Sequence, residues 1–171
     1  GSALHDPRIK FMGQMNIKKE KIYFDSLIIE GDQRFILWTK QALRLLKLKV
    51  PSVYQRVIQK YVKKIKLTKT TGMNLFVKIP TYEVGSKTAY ASLKWYASTI
   101  AHDAYHAKLY FDYKKNSSRP VPLKIYNSKQ AELLCIKYQI KVGKKIGLSK
   151  LDLDYLKTLD GSHAKLKKRD W

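Results

Sequence analysis

Two histidines four residues apart, His102 and His106, stand in the run from Trp95 to Leu109 with Asp103 between them. Residues at i and i+4 of a helix lie one turn above each other on one face, so both imidazoles can aim at a single point. That is half of a metal site. Asp103 falls where a carboxylate can take a proton from a metal-bound water, and Glu132 opens the next helical run as a candidate third ligand. Two histidines at this spacing alone are a weak pattern, because they commonly face a core edge or solvent. The acid between them and the acid downstream give the pattern weight.

The downstream run can be tested by helix geometry, since successive residues turn by about 100°. Cys135, Ile136, Gln139 and Gly143 fall on the same side as Glu132, whereas Lys137, Lys141, Lys144 and Lys145 fall roughly opposite. Glu132 is the one acid of this helix and sits on its non-basic face. A carboxylate turned toward apolar surroundings costs several kcal/mol unless it is paired or bound to metal. Zn²⁺ is the expected partner. Two imidazoles and a carboxylate, with a fourth position left for water, form the ligand set of a catalytic zinc site. Such an ion lowers the pKa of its water to about 7 and polarises a substrate carbonyl. Cys135, one turn past Glu132, reads either as a small buried apolar residue or as a substitute or supplementary ligand.

His102-Asp103-Ala104-Tyr105-His106 with Glu132 resembles the gluzincin group of zinc metallopeptidases, marked by His-Glu-x-x-His on one helix and a Glu ligand on a following one. The lead-in Trp95-Tyr96-Ala97-Ser98-Thr99-Ile100-Ala101 also resembles the apolar start of that active-site helix. The resemblance covers about residues 85–142. It implies His102, His106 and Glu132 as zinc ligands, Asp103 as general base, and hydrolysis of peptide or amide bonds in a peptide or protein substrate. It further implies a sheet-edge strand ahead of the helix to bind substrate backbone, here Thr88 to Leu93. A second group that steadies the oxyanion is also implied, for which His163 and Tyr155 are the candidates.

One departure matters. The group's base is Glu, and Asp103 is shorter by one methylene, which draws the carboxylate back by roughly 1.5 Å. A misplacement of about 1 Å can cost on the order of a hundredfold in rate. Three readings follow: a natural variant that repositions the water, a weak or inactive protein that still holds metal, or a substitution introduced by design. The His-Asp doublet also occurs in metal-dependent phosphohydrolases, but these need a further upstream His, and only His5 precedes the helical region.

Around these residues the pattern predicts an α+β domain with a small mixed sheet. One or two strands are expected between Asn16 and Glu30, ended by Gly31. A helix capped by Asp32 follows, with Phe35, Trp38, Ala42 and Leu45 as its apolar stripe and Lys40, Arg44 and Lys47 on another face. A second helix restarts at Pro51 and carries Tyr54, Ile58, Tyr61 and Ile65 inward. A strand is expected over Met73 to Ile79, where apolar and polar residues alternate. The histidine helix spans about 94–115, and the glutamate helix 127–146 follows an extended Pro122–Tyr126. A short helix opens at Leu148-Ser149. The whole chain reads as one domain, a basic strand and helix part (1–86) followed by the zincin-like part (87–171).

At 171 residues and 44% hydrophobic content the chain can bury a core without cross-links, and one cysteine excludes an internal disulfide. No apolar run is long enough to span a bilayer. Gly1-Ser2 resembles a cloning remnant, so an upstream signal or anchor need not show. A secreted or cell-surface placement is the expectation, a cytoplasmic one the alternative. The net charge of +22, with twelve Lys or Arg and no acid between Gln33 and Tyr82, points to a polyanion as partner. Cell-wall polymer, anionic membrane or nucleic acid would meet the basic helices of residues 33–66. A non-catalytic polyanion-binding module is therefore the competing function, although no zinc finger or RNA-binding aromatic motif accompanies it.

Overall fold

The computed structural model describes residues 18–161. The fold is α+β, with a five-stranded mixed sheet against which the helices pack. Strands β1 (Glu20–Phe24) and β2 (Leu27–Gly31) form an antiparallel hairpin. Its two-residue turn places Asp25 at φ 51°, a left-handed conformation that Asp tolerates better than most residues. Helix α1 (Gln33–Lys49) starts where the Asp32 carboxylate accepts from the Phe35 N–H at 2.8 Å, and it buries Phe35, Ile36, Ala42, Leu43 and Leu46. Helix α2 (51–61) restarts at Pro51, widens into a π segment at Tyr54–Ile58 and closes over Gln59–Tyr61.

Strand β3 (Lys64–Thr68) runs parallel to β2, β5 (Thr81–Gly85) parallel to β3, and β4 (Gly72–Asn74) antiparallel to β5. The order across the sheet is β1-β2-β3-β5-β4. A helical turn, α3 (Ser86–Ala89), leads into α4 (Leu93–Lys115), where the Ser92 hydroxyl accepts from the Trp95 N–H. Helix α4 is nearly all buried from Trp95 to Ala107, so it is the centre of the molecule rather than an amphipathic surface helix. After the short α5 (Leu123–Tyr126), Ser128 caps α6 (Lys129–Ile146), which packs along α4 more extensively than any other helix. Gly147 ends α6 at φ 85°, where a side chain would be strained, and α7 (Lys150–Thr158) folds back against it. The main core lies between the sheet, α1 and α4, with a smaller cluster of Trp95, Ile136, Leu148 and Leu156 at the far end of α6.

Four sequence-based expectations fail. Thr88 to Leu93 is not a strand: Ser86–Ala89 is helical, and Thr88 is buried with its hydroxyl bonded to Thr71. The strand ahead of α4 is β5, which lies inside the sheet, so it offers no edge to a substrate backbone. Only Gly72–Asn74 of the predicted Met73–Ile79 strand is extended in the sheet, because the Asn74 side chain turns back to accept from the Phe76 N–H and the chain leaves the sheet. Ile65 belongs to β3, not to the second helix, which ends at Tyr61. Leu123–Tyr126 is a helical turn rather than extended chain. Among the described residues, no helix is long and apolar enough to cross a membrane.

Candidate metal centre

Helices α4 and α6 bring His102, His106, Glu132 and Cys135 into one buried cluster. His102 and Cys135 are fully buried, and His106 and Glu132 are only 6% and 4% exposed. The two rings stand 5.1 Å apart between centroids. His102 Nε2 lies 3.1 Å from one Glu132 carboxylate oxygen, and His106 Nε2 lies 2.7 Å from the other. The donor atoms of His102, His106 and Cys135 all fall within 4.8 Å of one another, a grouping able to bind a metal ion.

The outward nitrogens fix how the rings face the centre. His106 Nδ1 is 2.8 Å from the Tyr126 carbonyl oxygen, which only accepts, so this nitrogen carries the proton. For His102 the same conclusion comes through a chain. The Ser98 hydroxyl donates to the Trp95 carbonyl at 2.7 Å and accepts from the Gln139 amide nitrogen at 3.0 Å. The Gln139 oxygen is thereby turned to accept from His102 Nδ1 at 2.8 Å. A neutral imidazole with its proton on Nδ1 presents a lone pair at Nε2. Both Nε2 atoms thus lie beside the Glu132 carboxylate, at 3.1 and 2.7 Å. A proton, on a ring or on the carboxyl group, or a metal ion fits between them. The His106 ring nitrogen and the Glu132 oxygen are close but not aligned as an N–H···O bond.

Charge coupling within the cluster is strong. Burial alone would lower the pKa of His106, but Cys135 and Glu132 carry it well above the ordinary imidazole value. Burial pushes the Cys135 thiol up; His106 opposes this, while Glu132 and Asp103 add to it. Asp103 is itself fully buried on α4, beside the first histidine.

The structure therefore gathers the predicted His102, His106 and Glu132, while Asp103 follows His102 on α4 and lies near enough to Cys135 to raise its pKa. It does not gather Tyr155, which is half exposed on α7 with its ring against Trp95. Trp95 precedes His102 by two turns of α4, roughly 10 Å along the axis. His163 and His5 lie outside the described residues. Tyr105 stacks on Tyr138 at 4.5 Å and serves the packing of α4 on α6. Three participants carry no assignment from the sequence: Ser98, Gln139 as a ring-orienting group, and the Tyr126 carbonyl. Gln139 does leave a signal, two turns past Glu132 on the same face. A backbone carbonyl leaves none. A concave pocket of about 340 Å³ lies elsewhere, lined by Arg34, Leu37, Trp38, Gln41 and Tyr90.

No family model, no curated protein and no solved structure matches the chain.

Proposed function

We propose that the protein holds one zinc ion through His102, His106 and Glu132 and that this centre hydrolyses peptide or amide bonds. The observation that supports the reading is the outward tie of both Nδ1 atoms, which leaves both Nε2 atoms beside one buried carboxylate. Outer partners that orient ligating imidazoles in this way are the usual support of zinc centres. When bound, the ion supplies a water of lowered pKa and a Lewis acid for the carbonyl. Asp103 is the group that would take the water's proton, and its short side chain limits how well it does so.

The test is zinc content together with hydrolysis of dye-labelled casein for the parent chain, Asp103→Glu and Glu132→Gln. Asp103→Glu is expected to keep zinc and to gain on the order of a hundredfold in rate. Glu132→Gln is expected to lose zinc. Zinc-loaded Asp103→Glu without hydrolysis would remove the catalytic half of the proposal.

A second reading rests on the surface. Arg44, Lys47, Lys49, Arg56, Lys60 and Lys63 are exposed on or beside α1 and α2, as are Lys137, Lys141, Lys144 and Lys145 on α6. Such faces bind a polyanion through counterion release, so affinity for duplex DNA would fall steeply with salt and be indifferent to His102→Ala. Affinity insensitive to salt would exclude this reading.

A further inference from the structure

A catalytic zinc site keeps an open position facing a substrate, yet all members of this cluster are buried, and none of them lines the pocket beside α1. Cys135 stands one turn past Glu132 on the same face of α6, with its sulfur within 4.8 Å of the donor atoms of both histidines. Two imidazoles, a carboxylate and a thiolate make four donors, the number a closed zinc centre uses.

We propose that Cys135 is the fourth ligand of the ion held by His102, His106 and Glu132, and that its thiolate keeps the centre closed in the resting protein. Closure replaces the ion's water. The S–H bond breaks, its proton leaves with the displaced water as hydronium, and the sulfur electron pair forms the bond to the ion, with no change of oxidation state. Opening is the reverse exchange. The burial of the cluster is then the mark of the closed form, and hydrolysis requires that Cys135 swing away from the ion.

The proposal rests on the metal reading and is tested separately from it with Co²⁺ in place of zinc, using acetohydroxamate as a small external ligand. The parent protein should bind one cobalt per chain and show an intense thiolate-to-cobalt band in the near ultraviolet. Cys135→Ser and Cys135→Ala should keep the cobalt and lose the band. Acetohydroxamate should perturb the visible cobalt spectrum of both variants at concentrations about tenfold or more below those the parent requires, since only the open fraction of the parent can accept it. Stoichiometric cobalt in the parent without the thiolate band would overturn the assignment of Cys135 and leave the three-ligand centre intact. A band accompanied by equal hydroxamate affinity in parent and variants would overturn the closure. Failure of the parent to bind either metal would remove both proposals together, and this needs no variant to fold.

Discussion

Glu30 and Glu132 are buried to similar depth, 9% and 4% exposed, but they keep different company. Glu30 lies on β2, where Lys21, Lys64 and Lys66 place their ammonium groups 3.2, 3.7 and 3.4 Å from its oxygens. Those lysines come from β1 and β3, the strands on either side. Charge is balanced by the sheet itself. Glu132 instead faces two imidazoles, which are cations only when protonated, and whose other nitrogens are already committed to Gln139 and Tyr126. The first carboxylate completes a structure. The second is paired with side chains that can also serve as metal ligands, which is what the proposed centre draws on.

If the contrast holds, the largest effect is on metal-linked stability. With zinc at about a thousandfold over its dissociation constant, the folded state should gain about 4 kcal/mol, and a chelator should remove it. Glu30→Gln should show the same zinc-dependent gain as the parent in denaturant titrations, and His106→Ala should show none. A chelator effect equal in all three would erase the distinction between the two sites.

Next in size is the outer support of His102. Gln139→Leu removes the group that fixes the ring, and zinc affinity should weaken by about 10–100-fold while the helices persist in circular dichroism. Unchanged affinity would show that the Ser98–Gln139 chain does not position the ligand.

Glu30→Gln should then cost about 1–3 kcal/mol at neutral pH, because three lysines are left facing a neutral amide. Its acid behaviour has a definite sign. Burial alone would raise the Glu30 pKa, but Lys21, Lys64 and Lys66 bring it below the ordinary glutamate value. Its contribution is therefore fully present above the ordinary value and is lost as pH falls through the depressed one. The gap between parent and variant should close over that acid window and stay constant above it. A gap that widened on acidification would contradict the pairing. Smallest is Lys21→Ala: the Lys21 side chain is 65% exposed, so its loss should cost under about 1 kcal/mol and shrink further with salt.

Much of this centre is legible in the sequence, for a specific reason. Helical periodicity is long-range within one element, so the face shared by Glu132, Cys135 and Gln139 and the facing pair His102 and His106 follow from counting residues. The cap Asp32 is legible for a similarly local cause, a side-chain oxygen meeting a first-turn N–H, whereas the start of α6 leaves Asn127 and Ser128 as equal candidates until the structure assigns Ser128. The strands are harder. The alternation over Met73 to Ile79 imitates a half-buried strand, yet Phe76, Val77 and Ile79 are exposed, and the sheet is built instead from Thr81–Gly85, where Tyr82 and Val84 face the core. Short strands carry too few residues to outweigh a single Asn74 turn. Cys135 reads first as packing and only second as a ligand, because a sequence shows which face a residue takes and not which sulfur meets which ring.

The most direct measurement is the zinc content of the parent chain beside His106→Ala, after both are stripped with chelator, reloaded with equimolar zinc and desalted. The account predicts close to one zinc per parent chain and close to none in the variant. Equal content in the two proteins, or none in the parent, would contradict a centre built on His102, His106 and Glu132.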